Sequence, residues 1–258
     1  NALMKYKSIF ISDIHLGTRF SKAKVLLNFL KHNESDQLIL VGDIIDGWAI
    51  KRKLIWPQEH SDVIQKILKK AKKGTKVTFI TGNHDEFLRP FVPLLLGDSV
   101  SIANELEYVA INKKKYYITH GDFFDSITMT KKWLAILGDY GYDLLLHLNV
   151  VLNFLRKRIG IKKYWSLSKY VKDNVKSSVS FISDFEAVLS THAKNKGYDG
   201  IICGHIHKAE IRDIEDIEYL NCGDWVESCT AIVETYEGEF KIINWLENDN
   251  SSKKNSNE

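Results

Sequence analysis

No uninterrupted apolar run in this chain approaches the ~20 residues that a spanning helix needs. A membrane-embedded protein is therefore not expected. Cysteine is scarce. Cys203, Cys222 and Cys229 are odd in number and their spacings match no zinc pattern. Reduced core thiols in a cytoplasmic setting are expected, rather than a disulfide framework. A large charge excess is also missing. The formal net charge is +3, with no extended basic face, so nucleic acid is not expected as a partner. No leader-peptide pattern is read at the start, and Met4 is expected as the natural first residue after Asn1-Ala2-Leu3. What is present is 258 residues, 44% hydrophobic and 27% charged, enough for one large domain or one domain carrying an insertion.

The informative pattern is a repeated one: an apolar run that stops at Asp, Asn or His. Ile9-Phe10-Ile11 leads into Ser12-Asp13-Ile14-His15, and Leu38-Ile39-Leu40-Val41 into Gly42-Asp43. A strand expected over Lys76–Thr81 leads into Gly82-Asn83-His84-Asp85. Tyr116–Thr119 leads into His120-Gly121-Asp122, and Gly200–Cys203 into Gly204-His205-Ile206-His207. Between the first runs the periodicity predicts helices over Ser21–Lys31, capped by Ser21, and over Ser61–Lys73, stopped by Gly74. Leu106–Ile111 and Tyr116–Thr119 read as an antiparallel pair. Ile217–Asn221, Thr230–Thr235 and Phe240–Trp245 read as closing strands. Alternating strands and helices followed by strand pairs predict an α/β fold, a two-sheet sandwich with helices outside. In open α/β sheets, sites form beyond the carboxyl ends of strands, and every polar motif falls there.

Each of these residues alone has an ordinary explanation. A single Asp after a strand is usually a turn residue or helix cap, a single His a satisfied polar group, and Asn83 a turn former. Gathered at one edge by neighbouring strands, Asp13, His15, Asp43, Asn83, His120, His205 and His207 instead make a metal site. Carboxylate, amide and imidazole donors without thiolate suit manganese, iron or zinc. His84 follows Asn83 directly and can face a substrate without binding metal. Asp85 is expected either to orient that imidazole, as a catalytic partner, or to cap the next segment. Asp46 and Asp122 are expected to orient ligand histidines, and Trp48 and Trp225 are candidates for the core.

The five blocks Asp-Ile-His, Gly-Asp, Gly-Asn-His-Asp, His-Gly-Asp and Gly-His-Ile-His, in this order, resemble the calcineurin-like metallophosphoesterases. The resemblance implies a β-sandwich core and two divalent metal ions. Asp13, His15, Asp43 and His207 would hold one ion and Asp43, Asn83, His120 and His205 the other, with Asp43 shared. Two such ions lower the pKa of a bridging water, and the resulting hydroxide would attack phosphorus in line. The core is expected over 4–121 and 198–246, a helical insertion over 122–197, and a disordered tail over 247–258.

The insertion carries an apolar stretch, Tyr140–Leu155, then the cation-rich run from Arg156 to Trp165, then a long amphipathic helix starting at Ser166. It reads either as a self-packed helical hairpin or as a lid with an apolar groove and a basic rim for anionic headgroups. Val41–Trp48, Trp56-Pro57-Gln58, Gly82–Leu88, Tyr164–Ser168 and Gly223–Ser228 are similar to proteins grouped with UDP-2,3-diacylglucosamine hydrolases. That similarity implies cleavage of the diphosphate of a UDP-linked diacyl sugar in lipid A biosynthesis. UMP and a lipid monophosphate would be the products. It further implies manganese as the metal and a peripheral position at the inner membrane. Arg52, Arg89 and Trp165 are the candidate substrate-binding residues. One position departs from the group, whose hydrolases carry Arg where this chain has His84. Arg clamps a diphosphate but is no acid, whereas His can donate a proton. The alternative is a soluble phosphatase or phosphodiesterase acting on nucleotides or phosphoproteins. A non-catalytic module on the same fold would show eroded ligands, and none of the motif ligands is missing here.

Overall fold

The first strand, β1 (Met4–Ile11), ends in Ile9, Phe10 and Ile11, which are buried on both faces of the sheet. A doubly covered strand reads as a continuous apolar run, and that is why the run was visible in the sequence. The computed structural model describes residues 3–125 and 176–246, together with 148, 150, 151, 153, 154, 156 and 158. Trp165, most of the apolar stretch 140–155, most of the cation-rich run and the helix start at Ser166 lie outside the described residues, as does the tail 247–258.

Helix α1 (Ala23–His32) follows β1 and passes without a loop into β2 (Asn33–Val41). Ser21 does not cap α1. Lys22 occupies the cap position without a side-chain hydrogen bond, and the Ser21 amide donates instead to Thr18 Oγ1 at 3.3 Å. Asn33 makes the abrupt helix-to-strand change possible. Its Nδ2 donates to the Phe29 carbonyl at 2.8 Å, and its own carbonyl accepts from the buried Lys70 Nζ at 2.6 Å. A short helix α2 (Gly47–Arg52) and a longer α3 (Gln58–Lys72) lead to β3 (Lys76–Ile80). Gly74 turns the chain after α3 with φ +103°, as expected.

Beyond β3 come β4 (Leu94–Leu96), β5 (Val100–Ala103), β6 (Glu105–Val109) and β7 (Lys115–Thr119). After the insertion come β8 (Gly200–Cys203), β9 (Glu210–Ile214), β10 (Ile217–Asn221), β11 (Thr230–Glu234) and β12 (Phe240–Asn244). A seven-stranded sheet has the order β12-β11-β1-β2-β3-β5-β4, and a five-stranded sheet the order β6-β7-β8-β10-β9. Strands β1, β2, β3 and β5 are parallel, as are β7, β8 and β10, so their carboxyl ends share one edge of each sheet.

Two cores follow from the alternation along β1. Ile9 and Ile11 face the helices and pack with Leu26, Phe29, Leu30, Val63 and Ile67. Phe10 faces the second sheet and packs with Tyr108, Tyr116, Ile118, Ile202 and Leu220. Each fully buried side chain of this size stabilises the fold by about 1.5–3 kcal/mol. A polar latch crosses the same interface. Tyr108 on β6 donates to the buried Glu234 on β11, and its hydroxyl also meets Ser8 Oγ on β1 at 2.6 Å. Glu234 accepts as well from the Ile111 amide at 2.8 Å.

Contacts divide the chain into two compact units, Asn1–Phe123 with Leu189–Glu258, and Phe124–Val188. In the second unit, the described residues between 148 and 158 are helical, and Lys176–Asn195 is a continuous helix that reaches into the first unit's span of sequence. Among the described residues no helix is long and apolar enough to cross a membrane. Cys203, Cys222 and Cys229 are buried free thiols.

Candidate metal centre

The carboxyl ends of β1, β2, β3, β7 and β8 deliver Asp13 and His15, Asp43, Asn83, His120, and His205 with His207. Three groups place ligand atoms within 4.8 Å of one another: Asp13, His15 and His207; Asp43, His120 and His205; and, at the rim, His15, Asp46 and His84. His207 Nε2 lies 3.1 Å from Asp13 Oδ1, and His120 Nε2 lies 3.1 Å from Asp43 Oδ2. Asp43 Oδ2 is also 3.9 Å from His15 Nε2 of the first group. One carboxylate oxygen therefore faces the first two groups.

Local backbone geometry is unusual where the ligands sit. Of nine non-glycine residues with positive φ among those described, five are Asp13, His15, Asp43, His205 and His207. Each such residue costs on the order of 1–3 kcal/mol and persists only where its surroundings enforce it. Here the enforcement is hydrogen bonding between loops. Asp13 Oδ2 accepts from the His205 amide at 3.0 Å, and Asp43 Oδ1 from the His84 amide at 2.8 Å. Gly42 lets the β2 loop approach His120. A Cβ at that position would lie 2.4 Å from the imidazole.

Two histidines have their tautomers fixed. His15 Nδ1 donates to Asp46 Oδ2 at 3.0 Å, and His120 Nδ1 donates to the Val41 carbonyl at 2.9 Å. A carbonyl or carboxylate only accepts, so Nδ1 carries a proton and Nε2 is the nitrogen left to face the centre. These two Nε2 atoms, Asp13 Oδ1 and Asn83 Oδ1 are all buried without a hydrogen-bond partner. Leaving buried polar atoms unpaired is costly, and divalent ions would satisfy them. The donor set and its geometry thus fit the metals that the sequence implied.

Electrostatics point the same way. Burial pushes the carboxyls up, but neighbouring imidazoles outweigh it. His207 and His120 hold Asp13 down to about 2, and His120, His15 and His84 hold Asp43 well below the ordinary range. Burial pushes the imidazoles down, yet carboxylates prevail there too. Asp46 and Asp43 bring His15 up to about 9, and Asp43 and Asp13 raise His120 strongly. Protons fill positions here that metal cations compete for.

His84 sits at the rim with Nε2 4.0 Å from Asp43 Oδ2 and Nδ1 3.0 Å from Asp46 Oδ2. Asp46 thus lies beside both His15 and His84. Burial raises its carboxyl, but these two imidazoles hold it well below the usual range.

Asp85 corrects the sequence reading. It neither orients His84 nor caps the following 3-10 turn, Glu86–Phe91. Its Oδ2 accepts from the Ile44 amide at 2.8 Å and its Oδ1 from the Gly82 amide. It is fully buried, and burial followed by the charge of Asp43 pushes it up to about 6. Its place is a tie between the β2 and β3 ligand loops, not a catalytic one. Asp122 likewise orients no ligand histidine. It pairs with Arg89 Nη2 at 2.6 Å. Arg89 also reaches Thr81 Oγ1 at 3.4 Å and lies 4.2 Å over the Phe123 ring, at the ends of β3 and β7. Arg52 is the exposed last residue of α2. Trp225 is core, fully buried against Phe29. Trp48 is not core. It stacks on His84, and the only sequence signal for this is its place two residues after Asp46.

A family model described as calcineurin-like phosphoesterase matches residues 6–209. The UDP-2,3-diacylglucosamine hydrolase of Haemophilus influenzae (strain PittGG) is 25% identical over 259 residues, covering 92% of this chain and 98% of that protein. The protein of the same name from Porphyromonas gingivalis (strain ATCC BAA-308 / W83) is 27% identical over 127 residues, 46% of this chain and 47% of that one. Among solved structures, an archaeal phosphodiesterase aligns at 16% identity with a TM-score of 0.43, covering 92% of this chain and 98% of that chain. Matched over residues 6–209, with all seven of its expected ligands inside that stretch, the chain belongs to the calcineurin-like phosphoesterase family and is a metal-dependent phosphoesterase.

Proposed function

We propose that this chain is a dinuclear phosphohydrolase that cleaves the diphosphate of UDP-2,3-diacylglucosamine, releasing UMP and the lipid monophosphate during lipid A biosynthesis. The observation that carries the chemistry is the position of Asp43 Oδ2, 3.1 Å from His120 Nε2 on one side and 3.9 Å from His15 Nε2 on the other. The substrate is taken from the relatives. Similarity to the Haemophilus influenzae hydrolase runs nearly end to end, at 25% identity.

Asp13, His15, His207 and Asp43 would hold one ion, and Asp43, Asn83, His120 and His205 the second, with manganese the first choice. Two bound ions would neutralise phosphoryl oxygens and activate water. The protein's own residues do the rest. Asp46 and the Val41 carbonyl orient the ligand imidazoles. His84, its Nε2 4.0 Å from Asp43 Oδ2, would serve the leaving oxygen as proton donor. Arg89, held by Asp122, would meet a second phosphate. A peripheral contact with the inner membrane goes with a lipid-linked substrate.

A second reading, a phosphodiesterase for smaller esters, is favoured by His84 itself, since an imidazole serves poor leaving groups that a guanidinium cannot protonate. One assay separates the two. Purified protein with Mn²⁺ is expected to release UMP from the UDP-linked diacyl sugar. Turnover of small phosphoesters with none of the lipid would favour the second reading and sink the first.

A further inference from the structure

Both oxygens of Asp46 are already engaged. Oδ1 caps α2 by accepting from the Ala49 amide at 2.7 Å, and Oδ2 accepts from His15 Nδ1 at 3.0 Å. His84 Nδ1 lies 3.0 Å from that same Oδ2, which it shares with His15. Asp46 holds one ring nitrogen from the side, and Trp48 covers the ring. The two ring centroids are 4.4 Å apart with the planes 39° from parallel. His15 closes the opposite approach, edge-on at 4.7 Å.

The indole is itself tethered, its Nε1 donating to Glu86 Oε1 at 3.0 Å. The backbones are joined at the same place, where the Gly47 amide donates to the His84 carbonyl at 2.9 Å. Gly47 permits that approach. A Cβ there would lie 2.7 Å from Phe87 Cδ1 and 3.0 Å from the His84 carbonyl oxygen. The first turn of α2 and the residues after Asn83 are thus locked together around one imidazole, with Trp48 as its wall.

We propose that Trp48, tethered by Glu86, is the positioning residue that fixes the orientation of His84 at the metal centre. The proposal rests on the reading of His84 as the group that serves the leaving oxygen. Trp48 touches no ligand atom and no reacting atom; it acts through the imidazole. Its loss would leave the metals in place and let the ring swing away from the leaving group.

The test uses the Mn²⁺-loaded full chain and two diesters that differ in leaving group, bis(p-nitrophenyl) phosphate and diphenyl phosphate. Nitrophenolate leaves unaided, whereas phenolate gains from a placed acid. Trp48→Ala is expected to lose about tenfold more kcat on diphenyl phosphate than on the nitrophenyl ester, a part of the ~10²–10⁴ that a placed acid supplies. KM and metal content by elemental analysis should match the parent protein, and Trp48→Phe should recover most of the loss. Glu86→Gln, which weakens the tether, should fall between them. A crystal structure of metal-free Trp48→Ala should show the His84 ring rotated from its present plane. An unmoved ring, equal losses on both esters, or metal loss in both Trp48 variants would show a merely structural role and overturn the proposal. His84→Ala distinguishes the two levels. If it keeps parental turnover on diphenyl phosphate, the reading of His84 fails and the proposal with it. If it is slow while Trp48→Ala is not, the positioning role alone fails.

Discussion

His207 Nε2 lies 3.1 Å from Asp13 Oδ1, although one residue follows the first strand and the other follows the eighth. The other Asp13 oxygen accepts from the His205 amide at 3.0 Å. One buried carboxylate therefore joins the two ends of the catalytic core, one oxygen on the His205 amide and the other beside His207 at the centre. The intervening fold serves to bring these groups within a few ångströms.

Removing His207 tests that division of labour. Its side chain is partly open to solvent, so His207→Ala is expected to fold normally. It should retain one metal ion of two by elemental analysis and lose most turnover. Parental metal content would show that His207 is not a ligand.

His84→Ala should behave in the opposite way. The imidazole faces the centre at 4.0 Å from Asp43 Oδ2, and it groups with His15 and Asp46 rather than with Asp13 or Asp43. Both metals should remain, while turnover on substrates with poor leaving groups falls by about 10²-fold or more. Loss of metal alongside activity would mean that His84 is itself a ligand.

The gathering of the candidate ligands is legible in the sequence because each of them follows an apolar strand, and parallel strands place their carboxyl ends together. Five ordered motifs then leave little freedom for their pairing. Residues whose roles depend on a third dimension are not legible. Asp85 reads as a neighbour of His84, but the backbone turns its carboxylate away, toward the Ile44 and Gly82 amides. Trp48 reads as a core aromatic, yet it covers an imidazole that lies far along the chain. Nor does the sequence show β4 and β5, whose short, half-exposed strands carry too weak an alternation. The left-handed backbone at Asp13, His15 and Asp43 has no sequence signal either, because none of them is glycine.

Asp85→Ala follows from that correction. It would strip the buried Ile44 and Gly82 amides of their acceptor. Each amide left unpaired costs about 1–3 kcal/mol, so roughly 2–6 kcal/mol of stability is at stake. The expected signature is a lowered Tm and weaker metal binding together, visible in thermal melts with and without Mn²⁺. A variant with parental Tm that loses only turnover would restore a catalytic role to Asp85.

The Tyr108–Glu234 latch predicts how stability depends on pH. Burial and then the Glu234 carboxylate raise the Tyr108 phenol above its ordinary 10.0. A raised folded pKa means that the latch contributes fully below pH 10. Above that, unfolded phenols ionise while the folded one cannot, so the contribution is lost as pH rises. Tyr108→Phe should cost about 1–3 kcal/mol at neutral pH, by removing a donor from buried Glu234. Its urea-unfolding stability should then fall less steeply than the parent's above pH 10. Parallel curves would show that the phenol does not carry this dependence.

The most direct measurement is the anomalous scattering of crystals soaked in Mn²⁺. Two peaks are predicted, one beside Asp13, His15 and His207 and the other beside Asn83, His120 and His205, with Asp43 touching both. A single peak, or a pair that does not share Asp43, would contradict the dinuclear account.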